Sequence, residues 1–253
     1  MSLEKYKLPL SSLPLKAKET LKKEVINLDF LDYRNARKIN TSNTYQDGIY
    51  RNQNNQVLVK CSTVMKGVKP KMLDWWFAWH MPESERYKLW HPRDHISVEL
   101  KEDRSSFNSD KEKYIGADSY VKEYIGKELN ELCISFCEPT SFGFFDLDVN
   151  QETSICAHVR DLKRGLSIAS LNHHLVQKEN NFSIMESTFW LGMNNKFTNQ
   201  ILNLFLKPIV NNKLIRKFLI NDELAKNLML HCYEEMNHLS EFLPSLYKDQ
   251  NPY

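Results

Sequence analysis

The sequence predicts an α+β protein in which a curved antiparallel sheet grips a long C-terminal helix. Three observations carry that prediction. From His95 onward, apolar residues recur at every second position in a series of short segments, the pattern of strands with one buried face. Turn-forming clusters at 148–150, 163–165 and 179–181 separate several of them, so that neighbours in sequence pair antiparallel. From Asp222 to Phe242 the period becomes helical, with Ala225, Leu228, Met229, Cys232, Met236 and Leu239 on one stripe. A sheet backed by such a helix encloses a natural ligand space.

The elements follow in order. Residues 1–55 are expected to form a partly helical N-terminal extension, with a Pro- and Ser-punctuated start, a helix around 17–26 and a polar run over 40–55. Residues 56–253 then form the main domain. Helices are expected over 70–79 and 83–90, and strands over 95–100, 119–125, 132–136, 142–147, 154–161, 166–176 and 182–190. After Gly192 the pattern returns to helix, first over 197–206.

Composition narrows the function classes. With 253 residues and 42% hydrophobic content, the chain suits one large soluble domain. Its 34 basic and 32 acidic residues are dispersed, which gives nucleic-acid binding no electrostatic support. The five cysteines lack the paired spacing of a zinc ribbon or redox motif and read as reduced thiols of a cytoplasmic protein. Neither a secretory leader nor a membrane span is apparent, so no membrane contact is expected. Nucleophile-elbow, phosphate-loop, dinucleotide-binding and His-Glu-x-x-His motifs are all absent.

The chemistry concentrates in a few residues. His231 and Glu235 stand four apart on the last helix, so an imidazole and a carboxylate reach one point from one face. Glu123 shares the parity of Val121 and Ile125, which turns a carboxylate inward, where it needs a proton, a cationic partner or a metal. Alternation groups His95 with Ser97 and Glu99 on the polar side, so periodicity leaves its role open. His173 shares parity with Leu171 and Leu175 and is favoured over His174 as the inward member of that pair. The dense aromatic run from Trp75 through Trp76 to Trp79, followed by Tyr87 and Trp90, suits either core packing or the wall of a site for a flat aromatic ligand, with the Tyr87 hydroxyl as its polar handle.

Taken together, Asp74-Trp-Trp-Phe-Ala-Trp79, Tyr87-Lys-Leu-Trp-His-Pro-Arg-Asp-His95, Tyr120-Val-Lys-Glu-Tyr-Ile-Gly126, Ser187-Thr-Phe-Trp-Leu-Gly192 and His231-Cys-Tyr-Glu-Glu235 resemble the phloretin hydrolase and 2,4-diacetylphloroglucinol hydrolase family. The resemblance implies a helix-grip (Bet v 1-like) domain and a zinc ion held by His95, Glu123, His231 and Glu235. It implies hydrolysis of the carbon–carbon bond between a phenolic ring and an acyl group, with an acylated phenol as the small-molecule partner. On this reading Tyr87 and one of His173 or His174 bind ring hydroxyls and move the proton, while Trp76, Trp79 and Trp190 contact substrate. A homodimer is suggested by the resemblance alone. Where the family is expected to carry a second cavity tyrosine, this chain has Phe189-Trp190. The competing reading is a non-catalytic helix-grip protein that binds an aromatic or apolar small molecule.

Overall fold

Among the residues described in the computed structural model, 2–179 and 181–251, nine strands form one sheet in the order β1-β2-β3-β9-β8-β7-β6-β5-β4. They are β1 (Ile26–Asn27), β2 (Gly48–Arg51), β3 (Val57–Lys66), β4 (His95–Leu100), β5 (Asp118–Ile125), β6 (Glu128–Cys137), β7 (Glu152–Asp161), β8 (Leu166–Lys178) and β9 (Phe182–Phe197). All neighbours pair antiparallel except β1 with β2. The expected turn at 179–181 includes Asn180, which lies outside the described residues. Eight helices punctuate the sheet: α1 (Leu15–Thr20), α2 (Ala36–Thr41), α3 (Pro70–His80), α4 (Ser84–Trp90), α5 (Asp110–Tyr114), α6 (Gln200–Val210), α7 (Lys213–Leu219) and α8 (Asp222–Gln250).

This is the helix-grip arrangement. The main core fills the space between the inner sheet face, α8 and α3, with Trp76, Met236, Leu239, Leu243 and Leu246 fully enclosed. Each such side chain contributes about 1.5–3 kcal/mol relative to exposure. A second, smaller core lies on the outer sheet face, where Ala36 and Ile39 of α2 cover Leu58, Cys156 and Trp190. The N-terminal residues strap the far side of α8: Tyr6 donates a hydrogen bond to Asp249 (2.6 Å), and Ser11 meets Nδ1 of the buried His238 (3.0 Å).

Two expectations about elements are corrected. Residues 142–147 do not form a strand. Pro139–Phe142 makes a 3-10 turn, and Gly143 follows at φ +87°, where a Cβ would come within 2.5 Å of the Arg34 carbonyl oxygen. The turn frees Phe142 and Phe144 to enter the outer core. Conversely, β2 arises inside the polar run over 40–55, and β3 follows it. The first five residues of β3 are all buried, so no alternation marks that stretch.

Two buried histidines make stability depend on pH. Nδ1 of His80 lies 2.7 Å from the Trp76 carbonyl, and Nδ1 of His173 lies 2.8 Å from Ser187 Oγ. Burial pushes both imidazoles down from 6.5 to about 3. Below 6.5 the unfolded chain takes up these protons and the folded chain does not. Stability present above 6.5 is therefore lost as pH falls towards 3, by about 1.4 kcal/mol per pH unit for each histidine. Urea unfolding at about pH 7.5 and about pH 5 is expected to show the loss, and His173→Gln to reduce its slope; an unchanged slope would contradict the buried neutral state.

Candidate metal centre

The centre forms where α8 crosses β4 and β5. The Asn221 side chain caps α8 by accepting from Leu224 N–H, and Asp222 and Glu223 occupy the first turn, where carboxylates oppose the positive end of the helix dipole. Two turns on, His231 and Glu235 face the sheet, both buried. The β5–β6 turn docks against the same helix at Gly126 (φ +65°), where a Cβ would lie 2.4 Å from Asn227 Nδ2. Only glycine allows both that backbone conformation and that approach.

Across from the helix, His95 of β4 pairs directly with Glu123 of β5. The next pair is Ser97 with Lys122, so Ile96 is an extra residue in the strand. This bulge reverses the alternation. Val98 and His95 both face inward, as do Val121 and Glu123 opposite them, while Ile96 faces out.

The four side chains converge. His95 Nε2 and His231 Nε2 are 3.3 Å apart, and His95 Nε2 lies 3.7 Å from both Glu123 Oε2 and Glu235 Oε2. His231 Nε2 is also 3.7 Å from Glu235 Oε2. A tetrahedral zinc ion with bonds of about 2.0–2.1 Å holds its donors about 3.3–3.4 Å apart, so these separations match a metal's ligand set. Both histidines have Nδ1 against an acceptor, His95 at the Tyr87 carbonyl (3.1 Å) and His231 at Asp94 Oδ2 (3.3 Å), which leaves each Nε2 lone pair for the centre. The donor set therefore fits a divalent cation.

Electrostatics point the same way. Burial, then Cys232 and Glu123, push the Glu235 carboxyl well above the usual range. Burial, then His231 and His91, push His95 well below its ordinary value. A cation at the centre would favour the ionised carboxylate and the neutral imidazole together.

Tyr87, from α4, stacks on His95 with ring centroids 3.9 Å apart and 4° between planes, and its hydroxyl donates to Glu123 Oε2. Burial, followed by Glu123, raises its phenol well above its ordinary pKa. Behind His231 stands a support that the sequence reading missed. Arg93 forks onto Asp94 at 2.9 and 3.0 Å and reaches Glu234 at 2.5 Å, while His91 stacks on His231 at 4.7 Å and meets Glu234 at 3.3 Å. Burial raises the Asp94 pKa, but hydrogen bonds with His231 and Arg93 outweigh it and hold the carboxyl low. The available signal was an acid directly before His95 in a turn made by Pro92. Asp94→Asn is expected to weaken metal affinity about 10–100-fold in competition with a chromophoric chelator; unchanged affinity would show that the carboxylate does not orient His231.

The remaining predicted residues divide by sheet face. His173 points inward, but the rings of Phe77 and Trp90 stand between it and His95. Trp76 is fully buried, stacked on His80 and edge-on to Trp90, whereas Trp79 stacks on Trp75 at the partly exposed side of α3, under Arg86. His174 and Trp190 do not reach the centre, because strand alternation turns both to the outer face. There His174 pairs with Glu152 (2.7 Å), and the Trp190 indole donates to the Leu31 carbonyl (3.0 Å). An open groove of about 560 Å³ beside Trp190, lined by Tyr33, His158 and Arg160, lies on that side of the sheet, away from the metal centre.

The chain is 30% identical over 200 residues to 2,4-diacetylphloroglucinol hydrolase of Pseudomonas protegens, covering 72% of this chain and 61% of that one. It is 29% identical over 202 residues to phloretin hydrolase of Eubacterium ramulus, covering 76% and 68%. The chain thus spans less than two thirds of the diacetylphloroglucinol hydrolase. Among solved structures, Ara h 8.0201 aligns at a TM-score of 0.44 with 10% identity, over 75% of this chain and 99% of that one. The model of the DAPG hydrolase PhiG domain matches residues 28–248, a stretch that includes His95, Glu123, His231 and Glu235, and the chain belongs to that family.

Proposed function

We propose that this protein is a zinc-dependent hydrolase of the carbon–carbon bond joining an acyl group to a phenolic, phloroglucinol-type ring, with release of a carboxylic acid. The supporting observation is the convergence of His95, Glu123, His231 and Glu235 beside the Tyr87 hydroxyl. It occurs in a chain whose relatives are named for hydrolysis of diacetylphloroglucinol and phloretin.

Zinc held by these four residues would polarise an acyl oxygen or lower the pKa of a water molecule towards neutrality. The chain's own residues supply the rest. Overall, a water oxygen bonds to the acyl carbon, the ring–acyl bond breaks, and the ring carbon gains a proton. A hydroxyl-bearing ring in its keto form has a tetrahedral carbon at that position, so the departing electron pair enters an enol. Tyr87 keeps its proton because burial and Glu123 disfavour the phenolate, which suits it to hold a ring hydroxyl or deliver that proton from Oη. Among the described residues the indole N–H groups of Trp76 and Trp90 are buried without a partner, and Trp90 lies with its ring 5.5 Å from that of His95. The Trp90 donor, beside His95, is available to a ring oxygen.

The test is acid release from acylphloroglucinols and phloretin by zinc-loaded and chelated protein. Turnover is expected to vanish on chelation and to return with zinc. Turnover that survives complete chelation would remove the metal from the reaction. Hydrolysis of aryl esters without any acylphenol cleavage would overturn the carbon–carbon assignment.

A further inference from the structure

Helix α6 is turned the wrong way round for a helix of an isolated domain. At about 100° per residue, Ile201, Leu204, Phe205 and Pro208 share an arc of roughly 100°, an apolar stripe that would ordinarily face the core. Here that stripe faces outward, and none of the eleven residues of α6 is buried. Leu204 is 72% exposed and Phe205 67%. In α7 the pattern repeats, with Leu214 70% and Phe218 81% exposed.

The polar side does the anchoring. Asn203 accepts from Phe197 N–H (3.0 Å), and Asn211 exchanges hydrogen bonds with the Asn195 backbone (2.7 and 3.2 Å). The buried Arg216 donates to the carbonyls of Asn54 and Asn211. At Gly192 (φ +72°) a Cβ would lie 2.6 Å from Ile220 Cδ1, so the end of this segment docks closely on β9. Two helices are thus fixed by their polar groups while presenting aromatic and aliphatic side chains to the outside.

Charge identifies what they present them to. From residue 187 to 221 there is no Asp or Glu, while Lys196, Lys207, Lys213 and Lys217 are basic and exposed. A second copy meeting this face with the same face would bring like charges together. An anionic lipid surface complements both properties, since it accepts apolar side chains at the acyl boundary and attracts lysines at the headgroups. We propose that α6 and α7 form an interfacial docking surface for an anionic membrane, on which the protein lies without spanning it. Among the described residues, no helix is long and apolar enough to cross.

Flotation of the full chain with vesicles tests this. Binding is expected to vesicles of phosphatidylcholine mixed with phosphatidylglycerol, to be absent with phosphatidylcholine alone, and to weaken with salt. The double variant Phe205→Ser/Phe218→Ser should lower partition about a hundredfold or more. Lys213→Gln/Lys217→Gln should lower it about fivefold per charge. All four side chains are exposed, and near-ultraviolet circular dichroism and the urea midpoint should match the parent protein. Failure to bind anionic vesicles, equal binding to neutral ones, or parent-like binding by the phenylalanine variant would each overturn the proposal. A dimer in sedimentation velocity that the phenylalanine variant abolishes would overturn it in favour of a second copy on this face.

Discussion

Glu235→Gln is expected to abolish zinc binding and turnover while leaving the metal-free protein at least as stable as the parent. The carboxyl is enclosed and pushed well above its usual pKa by burial, then by Cys232 and Glu123. In the unfolded chain it ionises above 4.5, whereas in the metal-free fold it resists ionisation. The sign follows: stability is fully present below 4.5 and is lost as pH rises through the folded-state value. Glutamine keeps the shape and removes that loss, as it also removes the anionic ligand. Metal affinity should fall by more than about a hundredfold, beyond the usual effect of an outer partner. Zinc at about a hundred times its dissociation constant should add about 3 kcal/mol to the parent protein and almost nothing to the variant. Metal content and unfolding with and without zinc check both halves together. A variant that retains the zinc-dependent stabilisation would place Glu235 outside the ligand set.

Tyr87→Phe is expected to lower turnover about 100- to 10,000-fold while zinc content stays unchanged, the signature of a proton donor rather than a ligand. The phenylalanine ring can still stack on His95, so the imidazole should keep its orientation. What disappears is the hydroxyl and its hydrogen bond to Glu123. Leaving that buried acceptor unpaired should cost the metal-free fold about 1–3 kcal/mol. Turnover within a few-fold of the parent, with zinc present, would remove Tyr87 from the chemistry.

Legibility in the sequence varied with the regularity of the backbone. Where β5, and β8 from Ala169 onward, keep a period of two, parity alone separates Glu123 from Lys122 and His173 from His174. The helix pair His231 and Glu235 is equally readable, because a helix of 29 residues holds its spacing. His95 is not, since Ile96 interrupts the alternation and reverses its face. The start of β3 escapes for a different reason: buried on both sides, it carries no alternation to read. Trp190 illustrates a limit of composition, because an aromatic residue serves an outer core as readily as a substrate wall, and only the register of β9 assigns its side. The Arg93–Asp94 support depends on contacts about 140 positions away in sequence, which local pattern does not encode.

The bulge at Ile96 also bears on transplanting this chemistry. A designer who laid the segment from His95 to Val98 onto a bulge-free strand with Val98 inward would reproduce every donor and still fail, because His95 would point to solvent. Deleting Ile96 would instead straighten the strand and leave His95 on the face of Val98, because the two would then stand two positions apart rather than three. In this sheet the side that His95 takes is set as much by how one surplus peptide unit is accommodated as by the side chain itself.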